Sequence, residues 1–283
     1  MISAGMSVTT GELPGASSRP TEDRIFQTPG AVIVLDGVST VADQTPRGGW
    51  YAQLLGERLA AEFTLSPGAD LREALEVAIA TVADQHGLVP GASPAATVSI
   101  VRRHGDRVDA LVLADSPVIA VTTNGMVSAL RDDRLARLVT GLPEYAQYRA
   151  RLRAGGGFDA PQHRELLLRL REHQLRHVNR DVPGAYWVAE AVPEAARQAV
   201  VRSWPAADLE DVLVMTDGVS AAVEEYGLLS WAELAQQCRT RGPEQVVRMV
   251  HDAELSDPKG LRWPRYKLSD DKAIAALAVR SVV

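Results

Sequence analysis

Ala95-Ala-Thr-Val-Ser-Ile-Val101 and Val108-Asp-Ala-Leu-Val-Leu113, joined through His104-Gly105-Asp106, decide the fold. Apolar residues alternate along the first run and dominate the second, which predicts two strands. A tight Gly-Asp turn between them predicts an antiparallel return. A second hairpin follows in Val118-Ile-Ala-Val-Thr-Thr123, Asn124-Gly125 and Met126-Val-Ser-Ala129. Asn-Gly is a strong hairpin signal because both central residues of the tight turn need positive φ. Strands joined by turns rather than helices make this block antiparallel, not βαβ.

Upstream, Ala31-Val-Ile-Val-Leu35 is a continuous apolar run rich in β-branched residues, and it stops at Asp36-Gly37. It reads as a buried strand ended by a turn. Helical apolar spacing covers Arg47 to Phe63 and Asp70 to Val82, with Asp70 as N-cap and Glu73 completing a capping box. Residues 1–22 are small and polar and read as a flexible lead-in or edge segment. Downstream, residues 131–180 turn rich in Arg and Leu, with Gly155-Gly156-Gly157 between two helical stretches and an amphipathic run from Leu166 to Val178. This reads as a helical insertion whose basic face is either solvated or a docking surface. Strands are expected at Tyr186-Trp187-Val188, Gln198 to Trp204, Asp211 to Thr216 and Ala273 to Val279, with helices at about 219–225, 230–239 and 243–254. No linker is visible, so the expectation is a single domain, 1–283, carrying an insertion at about 131–180. The class is α+β, a sandwich rather than a Rossmann sheet, since no Gly-x-Gly-x-x-Gly or Walker loop follows a strand.

Composition narrows the function. The 283 residues are 46% hydrophobic, enough for a large core, and 30 Lys and Arg against 36 Asp and Glu give a net charge of −6. An acidic chain without clustered cations is not built to bind nucleic acid. The one cysteine, Cys238, lies in a helical stretch and permits neither an internal disulfide nor a thiolate zinc cluster. No signal peptide and no apolar run near 20 residues is present, so the expectation is a cytoplasmic protein with no membrane partner.

Five acidic sites stand beside expected strands: Glu22-Asp23, Asp36-Gly37, Asp115-Ser116, Asp217-Gly218 and Asp270-Asp271. Leu35-Asp-Gly-Val-Ser39 and Thr216-Asp-Gly-Val-Ser220 repeat one setting. A single Asp-Gly makes a turn and needs no further explanation. Five converging carboxylates would repel one another and be costly to desolvate, which a divalent cation would relieve. All-oxygen donors suit Mg²⁺ or Mn²⁺ rather than Zn²⁺.

Thr21-Glu-Asp-Arg24, Val34-Leu-Asp-Gly-Val38, Ala114-Asp-Ser116, Val214-Met-Thr-Asp-Gly218 and Ser269-Asp-Asp271 occur in an order that resembles the metal-dependent protein phosphatase (protein phosphatase 2C) family. Asn179-Arg-Asp-Val-Pro-Gly-Ala-Tyr-Trp-Val188 is similar to its bacterial members. The resemblance implies a four-layer α-β-β-α sandwich, with two antiparallel sheets flanked by helices and a two-metal cleft at one end. It implies that Asp36 bridges both ions with the Gly37 carbonyl beside it, that Asp217 and Asp270 hold the second ion, and that Glu22 and Asp23 act directly or through water. Asp115 matches a ligand of a third, weaker ion, and Asp271 a supporting residue. The implied activity is hydrolysis of phosphoserine and phosphothreonine monoesters in proteins by a water bridging two Mn²⁺ or Mg²⁺ ions. Asp36 and Asp217 would be central to catalysis, and Ser39, Ser116 and Ser220 would need no catalytic role.

The departures are specific. Arg19 is the candidate phosphate grip, one position out of register, with Arg24 behind it. Val38 stands where some relatives carry a proton-donating His, Ala114 replaces a glycine, and Ala273 replaces a threonine. They motivate an alternative, a weak or inactive relative that binds a phosphoprotein or another partner. A haloacid-dehalogenase-type enzyme fits poorly, because Asp36-Gly37-Val38 lacks a second Asp.

Overall fold

The structure, a computed structural model, describes residues 6–38 and 47–279. In chain order these form β1 (Ser7–Leu13), β2 (Arg24–Gln27), β3 (Ala31–Leu35), β4 (Gly37–Val38), α1 (Arg47–Leu65), α2 (Leu71–His86), β5 (Ala95–Ala96), β6 (Val98–His104), β7 (Arg107–Leu113), β8 (Val118–Thr122) and β9 (Val127–Leu130). The insertion follows as α3 (Arg134–Thr140), α4 (Pro143–Arg153) and α5 (Pro161–His177). Then come β10 (Val200–Pro205), β11 (Leu209–Met215), α6 (Asp217–Glu224), α7 (Trp231–Arg241), α8 (Pro243–Ser256) and β12 (Lys272–Ala278).

Two five-stranded sheets run in the orders β1-β12-β11-β8-β9 and β10-β7-β6-β3-β2, and every pair in them is antiparallel. Period two sorts their side chains into layers. Val32 and Val34 of β3 join Val112, Val118, Val212, Val214 and Ala275 between the sheets. Ile33 and Leu35, one residue out of phase, pack under Leu55, Leu59, Leu75 and Ile79 of α1 and α2. Leu213 and Met215 meet Leu234, Val246 and Val247 of α7 and α8 on the far side. The result is the expected α-β-β-α sandwich. A leucine buried as fully as Leu35 or Leu55 contributes about 1.5–3 kcal/mol.

Local signals account for most boundaries. Asp70 caps α2 by accepting from Arg72 N and Glu73 N, and Gly87 closes that helix at φ 60°. Ser230 and Glu233 form a reciprocal capping box on α7. Cys238 is buried in that helix, and burial pushes its thiol up to about 12.

Four expectations change. Residues 7–13, read as lead-in or edge, form strand β1 at a sheet edge, paired along its length with β12. Residues 24–27, not anticipated, form β2. The insertion holds three helices rather than two, because Pro143 starts a new helix after Gly141. Tyr186-Trp187-Val188 makes no strand: Tyr186 forms only an isolated bridge to Val178, and the chain is held there by Asn179, whose Oδ1 accepts from Val188 N at 3.0 Å. Among the described residues no helix is long and apolar enough to cross a membrane.

Candidate metal centre

Antiparallel register collects the acidic strand ends. Arg24 at the start of β2 faces Leu35 at the end of β3, Val34 faces Ser99, and Val98 faces Leu113 at the end of β7. Asp23, Asp36 and Asp115 therefore leave the same edge of one sheet. In the other sheet Met215 faces Ile274, which sets Asp217 just past β11 and Asp270 just before β12. The two edges face each other: Asp270 is felt electrostatically by Asp23, Asp36, Asp115 and Asp217.

Asp23 forms the floor, 1% exposed. Burial, then the charge of Asp270, pushes its carboxyl up to about 8, against hydrogen bonds from Thr216 and Asp36 that favour ionisation. Burial raises Asp36 well above the usual carboxylate range, and the charges of Asp23, Asp217 and Asp270 add to it. Asp217 is raised likewise by burial, Asp270 and Asp115. Asp115 is pushed up to about 6 by burial, with Asp132, Glu224 and Asp270 contributing. Glu22 is 6% exposed and raised by burial, partly offset by the Gly49 N–H, Lys267 and Arg19.

Backbone and neighbours hold this set in place. Asp271 accepts from Gly15 N and Glu22 N, both at 2.7 Å, and so braces the Glu22-Asp23 turn. Thr216 Oγ1 donates to Asp23 at 2.8 Å and accepts from Ala273 N at 3.0 Å. Thr97 Oγ1 accepts from Asp36 N at 3.2 Å and lies 2.6 Å from Ser116 Oγ. Gly37 and Gly48 approach backbone to backbone, leaving no room for a Cβ on either. Ala114 takes φ 70° where a glycine would be unstrained, and its N–H donates to Asp132 at 3.2 Å.

The remaining sequence candidates part ways. Arg24 braces the turn ahead of β2: it donates to Gln53 at 2.9 Å and to the carbonyls of Thr21 and Asp23 at 2.5 and 2.7 Å. Arg19 is exposed and felt by Glu22. Val38 pairs with Ala95 between β4 and β5. Ser39 lies outside the described residues. Ser220 Oγ donates to the Asp217 carbonyl at 3.4 Å, the local role expected of it.

Lys267 and Glu225 escape sequence reasoning. Lys267 Nζ lies 2.5 Å from Asp270 Oδ1. Burial opposes its charge, but Asp270, Asp36 and Asp217 outweigh that and raise its pKa. Its spacing of three residues from Asp270 was the available signal, though an i,i+3 pair alone is commonplace. Glu225 closes α6, feels Asp270 and Asp115, and is raised by burial against the pull of Arg149 in α4. The insertion thus reaches the rim of the acidic centre.

These residues fit divalent cations by chemistry: the donors are all oxygen, and burial together with neighbouring carboxylate charge disfavours ionisation of Asp36 and Asp217, a cost that a bound divalent cation would relieve. They are not drawn into a tight cage. Among the described residues, no three His, Cys, Asp or Glu side chains form a group ready to enclose one ion.

A sandwich with an acidic cleft at its sheet ends defines a class, and the comparisons define it further. The family model described as protein phosphatase 2C matches residues 16–256, and the chain belongs to that family. No curated protein matches the sequence. Among solved structures, the catalytic domain of the serine/threonine phosphatase PstP in complex with two manganese ions is 14% identical, with TM-score 0.59 over 97% of this chain and 98% of that one. The PPM Ser-Thr phosphatase MsPP from Mycobacterium smegmatis, in complex with cacodylate, is 18% identical, with TM-score 0.58 over 98% and 99%. Stp1 from Staphylococcus aureus, a serine/threonine phosphatase, is 14% identical, with TM-score 0.58 over 98% and 96%. At such identities the likeness establishes the fold.

Proposed function

We propose that this chain is a metal-dependent phosphoprotein phosphatase that hydrolyses phosphoserine and phosphothreonine monoesters. One observation carries the reading: Asp23, Asp36 and Asp217 come from both sheets to a single cleft beside Asp270, where burial and then the charges of neighbouring carboxylates raise all three carboxyls. The family supplies the reaction class, and the two manganese ions in the PstP structure suggest Mn²⁺ or Mg²⁺.

In this reading Asp36 and the Gly37 carbonyl serve one ion, Asp217 and Asp270 the other, and Asp115 a weaker third. When bound, the ions would neutralise the phosphoryl oxygens and make water a competent nucleophile near neutral pH. Glu22 and Asp23 accept hydrogen bonds and hold water in place. Asp271 and Thr216 fix those two groups through the contacts already described. Arg19, exposed near Glu22, attracts the phosphate dianion at the mouth. Val38 supplies no proton, so the leaving alkoxide takes one from solvent. Catalysis of this kind rests on positioning and electrostatics, not on a protein nucleophile.

The test is hydrolysis of an aryl phosphate and a phosphothreonine peptide by purified protein with Mn²⁺, with and without chelator. Chelator should abolish turnover, and Asp36→Asn or Asp217→Asn should lower it by about a hundredfold or more. Full turnover in either variant would end the proposal.

A further inference from the structure

Asn179 stands just past the end of α5 and takes φ 52°, a left-handed conformation that Asn tolerates better than most residues with a Cβ. Its amide makes two bonds whose partners fix its orientation. Oδ1 accepts from Val188 N at 3.0 Å, and Nδ2 donates to Glu190 Oε2 at 3.1 Å. Glu190 is buried, and a carboxylate so removed from water needs donors. Its other oxygen accepts from Gly91 N at 2.8 Å, and its carbonyl accepts from the Tyr51 hydroxyl of α1 at 3.1 Å. A turn alone would need one bond from Asn179. The second bond, to Glu190, joins the exit of the insertion to α1 and to the loop ahead of β5.

We infer that Asn179 and Glu190 are positioning residues for the Asp36-Gly37 turn. Ala189, held between Val188 and Glu190, exchanges two backbone hydrogen bonds with Ala96, at 2.9 and 3.0 Å. Ala96 is also the partner of Gly37 in the pairing of β4 with β5. Ala189 therefore adds a third strand to that ribbon, across Ala96 from Gly37. The next residue, Thr97, grips Asp36 twice. Its N–H donates to the Asp36 carbonyl at 2.9 Å, and its hydroxyl accepts from Asp36 N at 3.2 Å.

The ribbon needs this support. β4 and β5 are 2 residues each, and a two-stranded pair is marginal even at greater length. A third strand whose flanks are tied to α1, to the loop ahead of β5 and to the insertion gives the ribbon a fixed register. Asn179 and Glu190 act through the backbone they hold, not by touching the reacting groups. Their bearing on turnover rests on the role proposed above for Asp36 and Gly37. The mechanical coupling does not.

The experiment is amide hydrogen exchange of the full chain in chelator, by NMR, for wild type, Asn179→Gly, Asn179→Asp and the double variant Asn179→Asp/Glu190→Gln. Asn179→Gly keeps the left-handed backbone and removes both side-chain bonds. Exchange at Asp36 and Thr97 should quicken by about tenfold or more, while the amides of β11, in the other sheet, keep their wild-type rates. Asn179→Asp alone sets two carboxylates against each other and should do the same. In the double variant donor and acceptor trade places, the bonds to Val188 N and Gly91 N survive, and exchange at Asp36 and Thr97 should return towards wild type. Faster exchange confined to Gly91 and Val188, or spread equally to β11, would overturn the inference. With Mn²⁺ present, Asn179→Gly should lower kcat on an aryl phosphate and on a phosphothreonine peptide alike, with KM little changed. A loss confined to KM for the peptide would make the pair part of a docking surface and overturn positioning. If the wild type shows no turnover, the phosphatase reading falls, and the exchange rates alone decide the inference.

Discussion

The Thr216 hydroxyl donates to Asp23 at 2.8 Å and also accepts from Ala273 N at 3.0 Å, so one small side chain couples the floor of the acidic centre to the pairing of β11 and β12. Thr216→Val keeps the shape and removes both bonds. It should cost about 1–3 kcal/mol in urea unfolding, the price of leaving buried partners unmade. It should also move the Asp23 carboxyl still higher, read by carboxyl NMR. No change in either quantity would show that the hydroxyl is idle.

The raised carboxyls set the pH dependence of the metal-free protein. Asp23 titrates near 8 and Asp115 near 6 in the fold, against an ordinary value of 3.8. Between those limits the folded protein holds protons that the unfolded chain has released. Stability is therefore greatest below about pH 4 with respect to these groups, and falls as pH rises through 6 and 8, by about 1.4 kcal/mol per pH unit for each such proton. In chelator, the melting temperature should drop between pH 5 and 8.5. Added Mn²⁺ should stabilise more at pH 8 than at pH 5.5, because at low pH it must evict protons. A flat profile would contradict the burial of Asp23.

Ala114 holds a left-handed conformation at φ 70°. For a residue with a Cβ this costs about 1–2 kcal/mol, and glycine gives back about 0.5–1 through its looser unfolded chain. Ala114→Gly should therefore stabilise the protein by about 0.5–1 kcal/mol in denaturant titration. A loss of stability would mean that the Cβ packs favourably against Tyr186 and Val188, its partners in a small apolar cluster.

Lys272 and Glu254, 0% and 1% exposed in their side chains, form a buried pair 2.6 Å apart. Lys272→Met alone strands the carboxylate and should cost about 3–5 kcal/mol. Joining it to Glu254→Leu should recover most of that loss. If the double variant is no better than the single, Tyr226, which donates to Glu254 at 2.9 Å, is the partner that matters.

The sequence was most readable where one strand decides everything. Leu35-Asp36 and Met215-Thr216-Asp217 announce themselves as a set: each continuous apolar run ends in an Asp-Gly turn, and it is their repetition with the other acidic strand ends that asks for more than a turn. The sandwich followed from hairpins whose turn residues fix their geometry. What stayed hidden depends on long-range contacts. Arg24 looks like an available cation until Gln53 and two backbone carbonyls are seen to occupy it. Lys267 lies in an aperiodic stretch where no pattern marks a side chain, and its setting is made by Arg265 gripping the end of α8 and Tyr266 meeting His163 of α5, far away in the chain. Residues 7–13 lack apolar alternation because β1 is an edge strand, so its pairing with β12 left little trace in composition.

β12 lies between β1 and β11, yet among the described strands it comes last in chain order. During synthesis, β1 waits for its neighbour β12 until the other described elements have been made. Asp270, just ahead of β12, arrives with it. A nascent chain thus cannot assemble the acidic cleft early, and a premature stop before residue 270 would leave two halves of a sheet with no strand to bridge them.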